Sequence, residues 1–148
     1  GVKLKLSTTK TIVKNKSVVL IDDSLVRGTT CHKIVKMLYE SGAKEVHVRI
    51  ACPEIKFPDF YGVDMPTKEE LLAHNKNNIE MCEHIKAKSL KFLSLKGLYK
   101  ALIGAERNSN YPQFSDHYFT GDYPIKPHDN LQGLKVKQLS LLSGKSNS

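Results

Sequence analysis

Cysteine is scarce in this chain: Cys31, Cys52 and Cys82 are the three among 148 residues, and no two of them stand in a Cys-x-x-Cys spacing. That argues against a disulfide framework and fits a reducing compartment. No apolar run approaches the roughly 20 residues that a membrane helix needs, and no signal peptide is visible, so no membrane is expected and the cytoplasm is the default location. Neither Gly-x-x-x-x-Gly-Lys nor Gly-x-Gly-x-x-Gly occurs, which removes the Walker loop and the dinucleotide fingerprint. Cys82-Glu83-His84 is the nearest approach to a metal cluster and reads better as part of a surface helix. Acidic residues are missing at both ends: Lys3, Lys5, Lys10, Lys14 and Lys16 precede the first of them, Asp22, and after Asn130 come only Lys135, Lys137 and Lys145. Such runs are solvated faces more often than nucleic-acid patches, and no aromatic residues interleave these lysines, so no nucleic-acid partner is expected. With a net charge of +8, an anionic small substrate would gain from the same field.

What the chain does have is concentrated between Val18 and Thr30. Four apolar residues, Val18–Ile21, predict a strand buried on both faces in the middle of a parallel sheet. Asp22 and Asp23 then fall at the carboxyl edge, where open α/β sheets bind ligands. Ser24, Leu25, Val26, Arg27, Gly28, Thr29 and Thr30 form a loop, and Cys31 to Glu40 has helical spacing, with Ile34, Val35 and Leu38 on one side and Gly42 as a cap. A glycine-containing loop opening a helix offers unpaired N–H groups and the positive end of the helix dipole, and the hydroxyls of Ser24, Thr29 and Thr30 add donors, so the loop predicts a phosphate cradle. Two adjacent carboxylates would repel a phosphate and must face sugar hydroxyls or a hard cation such as Mg²⁺. A phosphorylated sugar satisfies both ends. The plainer alternative is that Asp22-Asp23-Ser24 only caps the next helix. Cys31 has no base beside it in sequence and reads as a packing residue.

Elsewhere the chain reads as one α/β domain, with no internal repeat and no second compact domain. Val2, Leu4 and Leu6 alternate with lysines as in a strand, and Lys14-Asn15-Lys16 is a turn. Glu45–Ile50 alternates polar and apolar residues, predicting a strand less buried than Val18–Ile21. Together with the intervening helix they form a right-handed βαβ unit. Residues 52–66 predict a structured loop stiffened by proline; Thr67 and Glu70 form a capping box for a helix from Lys68 to His74, and Asn75 to Asn78 breaks it. Ile79 to Ile85 is helical, Ser89–Leu93 a strand, and Leu95 to Ile103 a helix ended by Gly104. From Glu106 the chain turns irregular, with Tyr111, Phe114, Tyr118, Phe119 and Tyr123 expected to pack on something.

The run Asp22–Thr30 resembles the phosphoribosyl pyrophosphate (PRPP) signature of type I phosphoribosyltransferases. With Gly42–His47, Pro53–Pro58, Tyr61–Pro66 and Phe119–Pro124, it is similar, in collinear order, to the C-terminal third of the glutamine phosphoribosylpyrophosphate amidotransferase family. That resemblance implies a partial type I phosphoribosyltransferase fold, a parallel sheet flanked by helices, over residues 1–105, and an irregular extension over 106–148. It implies an enzyme opening purine synthesis, in which ammonia from an N-terminal glutaminase attacks C1 of PRPP. Asp22 and Asp23 would hold ribose hydroxyls and Mg²⁺, and Ser24 with Val26, Arg27, Gly28, Thr29 and Thr30 the 5-phosphate; purine nucleotides could occupy the same cradle. Gly1 falls inside the family's transferase domain, so the glutaminase and the upstream strands would come from a missing part of the enzyme or a partner copy. Some members carry an iron–sulfur cluster on cysteines matching the regions Phe57–Tyr61 and Asn108–Phe119; these regions hold no cysteine here, so no cluster is expected. Two further readings stand beside the enzymatic one: a non-catalytic remnant or nucleotide-binding module, and another PRPP user, which the downstream segments disfavour.

Overall fold

A computed structural model describes residues 9–61 and 66–125. The expected strand at Val2–Leu6, the tail beyond Ile125 and part of the Tyr61–Pro66 segment lie outside these residues. A short helix, α1 (Thr9–Val13), which no sequence signal announced, leads through the turn at Asn15, in left-handed backbone at φ 60°, into β1 (Ser17–Asp22). Then follow α2 (Thr29–Glu40), β2 (Glu45–Ile50), a 3₁₀ turn at Lys68–Glu70, α3 (Leu72–Asn75), α4 (Asn78–His84), β3 (Ser89–Phe92), α5 (Leu95–Ile103) and α6 (His117–Thr120).

The three strands are parallel and stand in chain order, β1-β2-β3, with Val18 opposite Val46, Leu20 opposite Val48 and Val48 opposite Leu90. Period-2 alternation puts Val18, Leu20, Val46, Val48, Ile50, Leu90 and Phe92 on one face. Helices α2 and α4 cover it with Cys31, Val35, Leu38 and Met81, and Ile85 joins them from the end of α4. The opposite face is a polar ladder at β2 and β3: His47 Nδ1 lies 2.8 Å from Ser89 Oγ, and Arg49 donates to the same hydroxyl at 3.0 Å.

Two sequence expectations about these strands need correcting. β1 is an edge strand among the described residues and is not buried on both faces; Val19 and Ile21 are 59% and 72% exposed. β2, expected to be the less buried strand, is the more buried, with Val46 and Val48 fully covered. Its alternating sequence reports one wet face, whereas its place between β1 and β3 shields both edges, and periodicity carries no information about neighbours. The Thr67 box also behaves differently from expectation. It closes a 3₁₀ turn, and extended backbone at Leu71 separates that turn from α3.

Residues 53–61 and 106–125 fold against each other outside the sheet. Tyr118 C=O accepts from Lys56 N–H and Phe57 N–H, and Tyr123 donates to Pro58 C=O at 2.9 Å. The regions Phe57–Tyr61 and Asn108–Phe119 meet in the pair His117 Nε2–Asp59 Oδ1 at 2.8 Å, both side chains buried, with the rings of Tyr61, Tyr118 and Tyr123 around His117. Tyr111, expected to pack, is 81% exposed. Arg107 bridges Asp116 and Asp122, and Asp116 also accepts from Tyr99 at 2.8 Å. Burial would raise the Asp116 pKa, but the bonds from Arg107 and Tyr99 prevail and hold it below the usual carboxylate range.

Two measurements test this packing. Ile85→Ala should cost about 2–5 kcal/mol in urea unfolding, while Ile79→Ala, at a 71% exposed position, should stay within about 0.5 kcal/mol; equal losses would contradict the assigned core. A depressed carboxyl pKa contributes stability above its unfolded value of about 3.9 and loses it as the pH falls through the folded value. Asp116→Asn should therefore be less stable than wild type at pH 7, with a gap that closes below about pH 4; a pH-independent gap would exclude the linkage.

Candidate functional site

β1 ends at the carboxyl edge of the sheet, level with β2, where Ala51 N–H donates to Asp22 C=O at 2.9 Å. The chain then turns on its own side chains. Asp23 N–H donates to Asp22 Oδ1 at 3.0 Å, and Ser24 Oγ–H to Asp23 Oδ1 at 3.1 Å. Each bond engages one carboxylate oxygen, and a carboxylate has two, so the turn exhausts neither side chain. Leu25 is buried and pins the loop to the core.

The loop closes at Gly28, which caps α2 in left-handed backbone at φ 76°, ψ −9°. Gly28 C=O accepts from His32 N–H at 2.8 Å, so the N–H groups of Thr29, Thr30 and Cys31 lie before the first intrahelical bond. The helix thus begins at Thr29, two residues before the start read from periodicity, and its cap is Gly28 and not the Asp22-Asp23-Ser24 run. A β-carbon on Gly28 would fall 2.8 Å from Leu72 Cδ2 and 3.3 Å from His84 Cδ2. Residue 28 is therefore glycine for two reasons, backbone hand and close packing.

A second stretch supports the loop from outside. Leu72 N–H donates to Val26 C=O at 2.9 Å, and Glu70 Oε1 accepts from Arg27 Nε at 3.2 Å and lies 3.1 Å from Arg27 Nη2. Glu70 Oε2 in turn accepts from Thr67 N–H at 3.0 Å. That N–H, with Arg27 beside it, holds the Glu70 carboxyl below the usual carboxylate range. Sequence reading found Glu70 only as a helix cap; no local signal links positions 27 and 70.

Asp22, Asp23, Ser24, Val26, Arg27, Gly28, Thr29 and Thr30 all line one concavity of about 420 Å³, together with Leu25 and Cys31. All eight sequence-proposed residues thus line one concavity. The carboxylates follow β1, with the Ser24 hydroxyl bonded to Asp23, and Thr29 and Thr30 open α2 with their hydroxyls and N–H groups. The all-oxygen carboxylate pair suits a hard cation such as Mg²⁺, which takes one or two protein carboxylates and completes its shell with water and phosphate oxygens. Cys31 is 2% exposed, and burial with Asp22 nearby pushes its thiol up to about 11, consistent with a packing role. Among the described residues, no three His, Cys, Asp or Glu side chains gather as metal ligands, Cys82-Glu83-His84 included. No described helix is long and apolar enough to cross a membrane.

No protein-family model matches the chain. Its sequence is 52% identical to the amidophosphoribosyltransferase of Rhizobium etli over 144 residues, covering 97% of this chain and 29% of that protein. It is 49% identical to that of Staphylococcus epidermidis, covering 95% of this chain and 28% of the relative. Among solved structures, a glutamine PRPP amidotransferase from B. subtilis complexed with ADP and GMP superposes with a TM-score of 0.70 at 46% identity, over 78% of this chain and 25% of that one. A structure described as the allosteric regulatory enzyme of purine biosynthesis gives 0.73 at 45% identity, over 82% and 26%. The parallel sheet and its flanking helices therefore have the type I phosphoribosyltransferase fold. Within that class, the chain is homologous to the C-terminal part of the amidophosphoribosyltransferases and spans a little over a quarter of their length.

Gly28→Ala should lower stability by at least about 1–2 kcal/mol from the left-handed backbone alone. The Leu72 contact should add to this, and thermal unfolding reads the sum. An unchanged midpoint would contradict the assigned loop geometry.

Proposed function

We propose that the chain is the PRPP-binding part of an amidophosphoribosyltransferase, which converts PRPP, glutamine and water to phosphoribosylamine, pyrophosphate and glutamate. The observation carrying this reading is that the two carboxylates, Asp22 and Asp23, and the donor-bearing residues Ser24 to Thr30 line one concavity. In this reading the N–H groups at the start of α2, the hydroxyls of Thr29 and Thr30, and the Arg27 guanidinium bind the 5-phosphate, and the Ser24 hydroxyl joins them by turning away from Asp23 Oδ1. Asp22 and Asp23 take the ribose hydroxyls. Holding the sugar at both ends fixes C1 for in-line attack by ammonia, which turns an encounter in solution into a positioned displacement. Asp22 and Asp23 would also hold Mg²⁺, which would supply charge neutralisation at the leaving group.

Ammonia would come from a glutaminase in the rest of the enzyme or in a partner chain; the edge of β1, unpaired among the described residues, and the outward-facing, exposed Val19 and Ile21 support a covering neighbour. The B. subtilis relative was solved with ADP and GMP, which supports nucleotide binding, and purine nucleotides share the ribose 5-phosphate that this cradle would take. We further propose a cytoplasmic location and, because the regions Phe57–Tyr61 and Asn108–Phe119 hold no cysteine, no iron–sulfur cluster; Asp59 and His117 pair between these regions.

Calorimetric titration with PRPP and Mg²⁺ tests the reading. Saturable binding by wild type that Asp22→Asn/Asp23→Asn loses is the expected result. A folded chain that binds neither PRPP nor a purine nucleotide would overturn it, and nucleotide binding without PRPP binding would favour a non-catalytic binding module.

A further inference from the structure

We propose that Glu70 is a positioning residue that orients the Arg27 guanidinium for the sugar phosphate; this rests on reading the Asp22–Thr30 loop as a phosphate cradle. Arg27 lines the concavity and its side chain is 55% exposed, and a long side chain in water samples many rotamers. Left alone, it would have to be ordered when the ligand arrives, at the expense of affinity. Glu70 orders it beforehand. Both contacts fall on one carboxylate oxygen, Oε1, at 3.2 Å from Nε and 3.1 Å from Nη2. They use one edge of a planar group with five N–H donors, and the remaining donors point away from Glu70.

The carboxylate is itself fixed. Its other oxygen, Oε2, accepts Thr67 N–H at 3.0 Å, and two residues further along Leu72 N–H holds Val26 C=O, next to Arg27, at 2.9 Å. One short segment, Thr67–Leu72, therefore grips both the backbone and the side chain of the loop. A carboxylate acting as a competitor for Arg27 would need freedom to withdraw when phosphate binds. The Thr67 and Leu72 bonds hold this one in place, so the geometry favours orientation over competition.

The test uses the full chain as wild type, Glu70→Gln, Arg27→Ala and the double variant, with ribose 5-phosphate as the titrant in calorimetry and ¹⁵N spectra of the Arg27 Nε–H group. Without ligand, a protected Nε–H resonance should be present in wild type and exchange faster in Glu70→Gln, whose amide oxygen is only a neutral acceptor. Affinity should fall about threefold to fivefold in Glu70→Gln and about tenfold in Arg27→Ala. The double variant should be no weaker than Arg27→Ala alone, because Glu70 acts only through Arg27. Losses that add in the double variant would mean a general structural role and overturn the proposal. Unchanged or tighter binding by Glu70→Gln would do so as well. A wild-type chain that binds no ribose 5-phosphate removes the cradle reading, and with it the phosphate assigned to Arg27, even where the resonance shows the Glu70 contact intact.

Discussion

The close approach of Gly28 to Leu72 is the constraint on which the loop depends. Without a side chain at residue 28, the backbone can turn left-handed and let α2 start directly behind the end of β1. The same absence lets Leu72 and Ile85 close over the turn, joining the first half of the chain to the second. The Val26–Leu72 hydrogen bond and the Arg27–Glu70 pair follow from that approach, because both require the Thr67–Leu72 segment to lie against the loop. Strand, loop, helix and outer support therefore form one mechanical unit, although its parts are some 45 residues apart in sequence.

Much of this was legible before any coordinates. The apolar run ending in Asp22-Asp23, the Gly28 turn, the helix ended near Gly42, and the helix from Leu95 closed by Gly104 are local events, governed by periodicity and cap chemistry. The depth of burial of each strand was not legible. Val18–Ile21 has the composition of a central strand, yet Val19 and Ile21 face outward, because burial depends on neighbours that a four-residue pattern does not specify. Nor could sequence place Glu70 beside Arg27, or Asp59 beside His117, since such pairs arise only when distant segments pack.

The two faces of the sheet have separate tasks. The inner face supplies the core on which the site rests, with Val46, Val48 and Ile50 buried against helices. The outer face, bonded through Ser89, is already satisfied at β2 and β3 and is apolar only toward β1. Among the described residues nothing apolar covers Val19 and Ile21 on that face, whereas crossover helices ordinarily bury both faces of a parallel sheet. The relatives, whose chains are more than three times as long, have ample sequence to cover it.

The carboxylates at the end of β1 also affect the redox chemistry of their surroundings. Burial, reinforced by Asp22 at Cys31 and by Asp23 at Cys52, raises both thiols above their ordinary values. Peroxides and disulfides react with thiolate, and a raised pKa keeps that species rare at neutral pH. Burial does most of this, and the carboxylates that line the concavity add to it. The same two side chains that shape the loop thus also keep the neighbouring thiols protonated.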